Sequence, residues 1–170
     1  MDGLYSLLPP AEDGILPYYL LVVSIAAIGN AVQNLLTLHY TRRIYNGLFV
    51  PSSSSHGNPD SVSKLQPVVA AQTLKDKPTA VDQVTPLAAR LFGVYTILAG
   101  VIRVYGAYRV HDPALYQLCL FTHLLAAAHF TSETLVFKTV SLGWEHAFPF
   151  AAAFSGSLWM GLQYGHYVKA

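Results

Sequence analysis

The chain has 170 residues, of which 53% are hydrophobic and 11% are charged, and its formal net charge is +1. Soluble domains carry about 25% charged residues, so this shortfall, together with a mean hydropathy of +0.39, predicts an integral membrane protein. The small net charge argues against a nucleic-acid partner, and the single cysteine, Cys119, excludes an intramolecular disulfide.

The first apolar run follows an acidic, Pro-containing lead. No Lys or Arg precedes the run, so the positive region of a cleavable signal peptide is missing, and we expect the run to remain as a signal-anchor helix. We place this first span at residues 17–38, because Pro17 suits the first turn of a helix. The span stops at the basic flank of Arg42 and Arg43.

A long connection occupies residues 44–86. Its Ser- and Pro-rich composition, including the run Ser52–Ser55, is too polar to bury and predicts a solvated, partly disordered loop. A regulatory or partner-docking segment is the alternative interpretation.

Three more apolar stretches predict spans at residues 87–109, 113–137 and 146–167. The dipeptide Asp112-Pro113 combines a turn with a helix start, so the second and third spans form a hairpin. The sequence therefore predicts an all-α integral membrane four-helix bundle, which is one membrane domain over residues 1–170.

Lysines and arginines concentrate in the first and third connections, which places both connections in the cytosol and both termini in the lumen. Tyrosines support the same layout, because seven of them fall at the predicted terminus-side interface, as an aromatic belt does. They are Tyr18, Tyr19, Tyr105, Tyr108, Tyr116, Tyr164 and Tyr167.

Polar residues inside the spans predict a shared layer. Arg90 and Glu133 lie at nearly equal sequence distances from the turn near residue 111, so we expect them at one depth and paired as ions. The layer comprises Asn30, Gln33, Asn34, Arg90, His129, Ser132 and Glu133. Three interpretations stay open: a layer that holds the bundle together, a surface that contacts a ligand or partner, and a catalytic site. Arg103, near the end of its span, is expected to snorkel to lipid headgroups or to cap the fourth helix.

Small residues recur every four positions in the fourth span, at Ala153, Ser157, Gly161 and Gly165. Such a stripe permits close approach of a neighbouring helix. The neighbour could belong to the same chain, to a second copy or to another protein.

Motifs for common enzyme chemistry are missing. His123 and His129 are six residues apart and face opposite sides of a helix, so they do not predict a metal site. No dinucleotide-binding glycine motif or serine-hydrolase elbow occurs. We therefore expect no catalytic, cofactor-binding or metal-binding residues and no enzyme activity.

Five segments in order resemble the ergosterol biosynthetic protein 28 family: residues 23–33, 89–98, 101–103, 115–116 and 129–137. The family's characteristic positions correspond to Gly29, Asn30, Gln33, Arg90, Gly93, Arg103, His129, Ser132 and Glu133. The long Ser/Pro connection departs from the family pattern as an insertion, and the dilysine tail is absent.

The resemblance implies a non-catalytic scaffold, multi-pass in the endoplasmic-reticulum membrane. It would tether the enzymes of sterol C-4 demethylation, namely the C-4 methyl oxidase, the C-3 dehydrogenase/decarboxylase and the 3-ketosterol reductase. It also implies contacts with the sterol C-24 methyltransferase and the C-14 demethylase, and self-association stays open. A membrane sterol-binding or carrier protein, using the polar layer around His129 and Glu133, is the alternative.

Overall fold

The computed structural model of the protein describes residues 7–51, 65–68 and 80–168. Its helices and strands, in chain order, are α1 (Leu16–Leu36), α2 (His39–Ile44), β1 (Phe49–Pro51), β2 (Leu65–Pro67), α3 (Pro86–Tyr108), α4 (Pro113–Leu135), α5 (Ala147–Leu162) and α6 (Tyr164–Tyr167). Helix dominates, so the predicted all-α fold class is confirmed.

The helix starts follow from local chemistry. Proline occupies the first turn of α1, α3 and α4, where its missing N–H costs nothing. Thr85 caps α3 by accepting a hydrogen bond from the Ala88 amide at 3.1 Å, and Asp112 caps α4 through the Leu115 amide at 3.0 Å. The first three predicted spans therefore match the observed helices to within two residues.

Helices α1, α3 and α4 are each long and apolar enough to cross a membrane. They indicate a multi-pass membrane protein. The predicted fourth span is divided at Gln163, which leaves α5 with 16 residues. Such a helix is about 24 Å long, shorter than the roughly 30 Å hydrocarbon core. Gly161 and Gly165, which are weak helix formers, flank the break, and four spans remain a prediction.

Different segments of the chain meet at the two ends of the bundle. At the connection end, defined by residues 39–51 and 136–146, the Gly47 amide donates to the Thr139 carbonyl at 2.8 Å, and Asn46 Nδ2 donates to the Ser141 carbonyl at 3.0 Å. At the terminal end, defined by residues 7–15, 109–112 and 164–168, the Tyr167 hydroxyl donates to the Asp13 carbonyl at 2.9 Å. The first and third connections thus share one end, as the sequence predicted.

Small residues bring α1 and α3 close together. A Cβ added to Gly93 would lie 3.4 Å from the Ala31 carbonyl oxygen, and one added to Gly100 would lie 3.4 Å from the Ser24 carbonyl oxygen. Backbones can approach this closely only where side chains are small. Helix α4 then packs against α3 on one side and α5 on the other.

The terminal half of the bundle holds the main apolar core. Its buried members are Leu16, Leu20, Ala107, Val110, Tyr116, Cys119, Met160 and Tyr167. The Tyr116 hydroxyl donates to the Met160 carbonyl at 2.7 Å, and its ring stacks on Tyr167 at 5.8 Å. The aromatic-belt prediction is therefore wrong for Tyr116 and Tyr167, because their rings fill the space where helix ends converge. Tyr105 and Tyr108 are exposed, as a belt requires.

Part of the long connection is ordered. Strands β1 and β2 pair antiparallel, with Phe49 opposite Pro67, and Phe49 also bridges to Val81. Phe49 is 2% exposed, so the side chain of this apolar residue is buried where the described parts of the connection meet. The run Ser52–Ser55 lies outside the described residues.

Candidate functional site: an intramembrane cavity with a few polar groups

A cavity of about 410 Å³ lies among α1, α3, α4 and α5 and extends from the connection half of the bundle to Arg103, beyond the midpoint of α3. Its wall is mostly apolar, and this volume falls within the roughly 300–1,000 Å³ range of small-molecule pockets. The polar side chains in its wall include Asn30, Gln33, Tyr95, Thr96, Arg103 and His129. Phe92 and Arg103 mark its extent along α3, about 16 Å at the helical rise of 1.5 Å per residue.

A tightly packed layer lies below the cavity, toward the terminal end. The Tyr19 hydroxyl donates to the Ala152 carbonyl at 2.7 Å, and the Tyr19 ring stacks on His123 at 5.7 Å. Gly156 makes this contact possible, because an added Cβ would lie 2.3 Å from both Tyr19 and His123. Sequence reasoning missed Gly156, although its spacing of three residues from Ala153 was a signal.

A hydrogen-bonded cluster surrounds His129 at the connection end. The Tyr45 hydroxyl oxygen and His129 Nε2 are 2.7 Å apart, and His129 Nδ1 is 3.8 Å from Glu133 Oε1. Burial raises the pKa of the Tyr45 phenol, and the nearby Glu133 carboxylate raises it further. A neutral Tyr45 donates to Nε2, which places the imidazole proton on Nδ1, on the side of Glu133.

The predicted Arg90–Glu133 ion pair is wrong. Glu133 instead accepts a hydrogen bond from the Thr139 hydroxyl. Arg90 is exposed and forms no ion pair within residues 7–51, 65–68 and 80–168. Ala89 and Gly93 occupy the inward face of α3, so Arg90, about 100° further round the helix than Ala89, points outward.

The other members of the predicted polar layer separate into different roles. Asn30 and Gln33 line the cavity, and the buried Gln33 Oε1 has no hydrogen-bond partner among the described residues. Asn34 is 3% exposed and accepts from Thr41 of α2. Ser132 donates to the His129 carbonyl at 2.8 Å and so bonds within its own helix.

Arg103 is 8% exposed, so the prediction that it snorkels to headgroups or caps the fourth helix is wrong. Its Nε donates to the Thr122 hydroxyl at 2.9 Å, and its side chain lines the cavity. Gly100 and Gly106 lie three residues before and after Arg103, but they pack against other groups, since an added Cβ would meet Ser24 of α1 at Gly100 and Cys119 of α4 at Gly106.

The remaining family positions, Gly29 and Gly93, differ in their surroundings. Gly93 packs against α1, as described above. Gly29 lies in the cavity wall, and a Cβ added there would meet nothing within 4 Å. A small residue at position 93 therefore serves helix packing, whereas packing does not explain a glycine at position 29.

The small-residue stripe begins inside the bundle and turns outward. Ala153 is 3% exposed, and the Ser157 hydroxyl donates to its carbonyl at 2.7 Å. A Cβ added to Gly161 or Gly165 would meet nothing within 4 Å. The described part of this chain therefore supplies no neighbouring helix for those two glycines.

Metal-ligand geometry is not assembled in the described segments. They contain no group of three or more His, Cys, Asp or Glu side chains that could hold a metal ion. His123 and His129 point to different surroundings, since His123 lies in the packed layer and His129 in the cavity wall.

Comparison with known proteins places this architecture in a family. Residues 16–158 match the family model described as Erg28 like protein. The chain is 43% identical to ergosterol biosynthetic protein 28 of Gibberella zeae, with 99% of each chain covered. It is 30% identical to the protein of that name in Saccharomyces cerevisiae, covering 91% of this chain and 83% of the relative. Identity to the human homolog is 32%, over 75% of this chain and 69% of the relative.

No solved structure matches the chain. The family model covers most of the sequence, including α1, α3, α4 and most of α5. These matches extend the resemblance noted from the sequence segments to the fourth helix. The chain belongs to the Erg28-like family.

Proposed function

We propose that this protein acts in ergosterol biosynthesis as a non-catalytic membrane scaffold of the endoplasmic reticulum. The relatives named ergosterol biosynthetic protein 28 support the pathway. The proposed partners are the sterol C-4 methyl oxidase, the C-3 dehydrogenase/decarboxylase and the 3-ketosterol reductase. Further proposed partners are the sterol C-24 methyltransferase and the C-14 demethylase.

One observation carries the scaffold proposal. The stripe of small residues on α5 and α6 leaves the bundle after Ser157, so Gly161 and Gly165 form an open strip. Exposed Leu158 and Leu162 lie beside it. Without lipid-excluding side chains at the two glycines, a helix of another protein can approach the backbone closely and pack there.

Tethering explains how such a protein contributes without chemistry of its own. Enzymes held on one bundle meet each other's products at a raised effective concentration, set by the geometry of attachment. Reactive intermediates then pass to the next enzyme before they diffuse away in the bilayer.

Two experiments test the scaffold proposal. Purification of the tagged protein from membranes should recover the three C-4 demethylation enzymes. Deletion of the gene should cause C-4 carboxylated or keto sterol intermediates to accumulate. An unchanged sterol profile after deletion would overturn the proposal.

A second candidate function is sterol binding or transport, and the cavity beside His129 favours it. Purified protein in detergent micelles should then bind tritiated ergosterol saturably, at about one sterol per chain. Absence of saturable binding would reject this candidate and leave the scaffold proposal intact.

A further inference from the structure

Arg103 is a buried cation with no carboxylate partner among the residues that the structure describes. Its exposed fraction is 8%, and it lies about 7.5 Å inside the terminal end of α3, five residues before Tyr108. A charge at such a depth costs several kcal/mol unless a partner compensates it. Ionisable residues inside a span are therefore candidates for function.

The surroundings of Arg103 satisfy only part of its guanidinium. Nε donates to the Thr122 hydroxyl, which itself donates to the Cys119 carbonyl at 2.7 Å. The two terminal Nη groups have no hydrogen-bond partner in the parts of the chain that the structure describes. No ion pair joins the guanidinium to a carboxylate in these described segments.

The unpaired charge adjoins empty space. Arg103 and Tyr95 both form part of the cavity wall. The Tyr95 hydroxyl is buried and lacks a hydrogen-bond partner among the described residues. A buried donor that is left unpaired destabilises the folded protein unless a ligand supplies the acceptor. The unpaired guanidinium of Arg103 thus adjoins a mostly apolar cavity, and the unpartnered Tyr95 hydroxyl belongs to a lining residue two helical turns away on α3.

We propose that this cavity binds a lipid carboxylate. The carboxylate accepts hydrogen bonds from both Nη groups of Arg103, because a guanidinium fork matches the two oxygens of a carboxylate. The apolar body of the lipid lies along the cavity wall, against Ala26, Ala99 and Phe130. A phospholipid with two acyl chains is far larger than a cavity of about 410 Å³, so a single-chain or ring-system acid fits the site.

This site is separate from the scaffold surface. Arg103 lines the inside of the bundle, whereas Gly161 and Gly165 face outward. Ligand binding is measured on the purified protein alone, and scaffold activity is measured by partner recovery. The failure of one proposal therefore leaves the other standing.

The test measures acid binding to the purified full-length protein in dodecyl maltoside micelles. The probes are tritiated oleic acid and tritiated hydroxycholenoic acid, each compared with its own methyl ester. We expect at least one acid to bind about tenfold or more tightly than its ester, because a hydrogen-bonded charge pair is lost in the ester. The acid that binds more tightly identifies the apolar body as an acyl chain or a sterol ring system.

Variants assign the preference to Arg103. Arg103→Met should bind acid and ester equally, whereas Arg90→Met, which removes an exposed arginine from the same helix, should keep the wild-type preference. Tyr95→Phe removes only the unpartnered hydroxyl and should weaken acid binding several-fold. Ala26→Leu fills the cavity without changing charge and should abolish binding of both forms.

Three results would overturn the proposal. The first is that the wild type binds neither acid saturably. The second is that the wild type binds acid and ester equally well. The third is that Arg103→Met still prefers the acid to the ester. If Arg103→Met does not fold, undiminished acid binding by both Tyr95→Phe and Ala26→Leu overturns it equally.

Discussion

The two halves of the bundle are built from the same four helices but packed differently. In the terminal half, large side chains meet and fill the interior, and Leu16, Tyr116 and Met160 are at most 1% exposed. In the connection half, alanines such as Ala26 and Ala152 stand at the facing positions and leave a cavity of about 410 Å³. Apolar packing is therefore tighter at one end of the bundle, and the other end has room for a ligand.

The largest difference in stability is expected between substitutions at two glycines of α5. Gly156→Leu should lower the free energy of unfolding by about 3 kcal/mol, because the new side chain collides with Tyr19 and His123 in the packed layer. Gly161→Leu on the same helix meets open space and should leave the melting temperature in detergent nearly unchanged. Similar melting temperatures for the two variants would contradict the packing difference.

The second-largest difference in unfolding free energy is expected when one apolar side chain is truncated in each half of the bundle. Met160→Ala empties a fully buried site in the terminal half and should cost about 2–3 kcal/mol. Phe148→Ala, at a cavity-lining residue that is 55% exposed, should cost less than about 1 kcal/mol. Unfolding in mixed detergent micelles measures both, and a larger cost for Phe148→Ala would reverse the comparison.

A larger side chain should have different effects on stability at two alanines of α1. Ala31 is 0% exposed and packs on Gly93, so Ala31→Leu should destabilise the protein by about 2 kcal/mol. Ala26 lines the cavity, so Ala26→Leu should be neutral or stabilising by about 0.5 kcal/mol. The same unfolding assay decides this, and a comparable loss at both positions would mean that the cavity does not exist in the folded protein.

The smallest effect concerns the hydrogen bond at the connection end. Tyr45→Phe removes the 2.7 Å contact with His129 Nε2 and should cost about 1 kcal/mol. The matched control is Tyr105→Phe, at a tyrosine that is 61% exposed at the terminal end, where we expect no measurable change. A null result for Tyr45→Phe in thermal unfolding would indicate that the His129 cluster does not stabilise this end.

Two arginines on α3 show what the sequence could and could not predict. Helix bounds were predictable because proline and cap residues mark them, as at Asp112 and Pro113. Position along each helix axis was also predictable, because helical rise is constant. The direction in which Arg90 and Arg103 point was not predictable. It depends on which side of α3 packs against α1 and α4, and contacts between distant residues decide that side.

The glycines of α5 give the same lesson. A four-residue repeat pointed to Gly161 and Gly165 as packing positions, yet the tight contact inside the chain occurs at Gly156. A period of four residues drifts around a helix of 3.6 residues per turn, so the stripe leaves the buried face after two turns. The open end of the stripe is the basis for the proposed partner surface.

Quantitative recovery of partners by a variant tests the scaffold most directly. The tagged protein with Gly161→Leu and Gly165→Leu together is purified from membranes beside the wild type and beside Ala151→Leu, which adds bulk to the exposed side of α5 outside the stripe. The account predicts that wild type and Ala151→Leu recover equal amounts of the three C-4 demethylation enzymes, and that the double variant, although folded, loses most of at least one. Equal recovery of all three enzymes by a folded double variant would contradict the claim that this open stripe holds the partners.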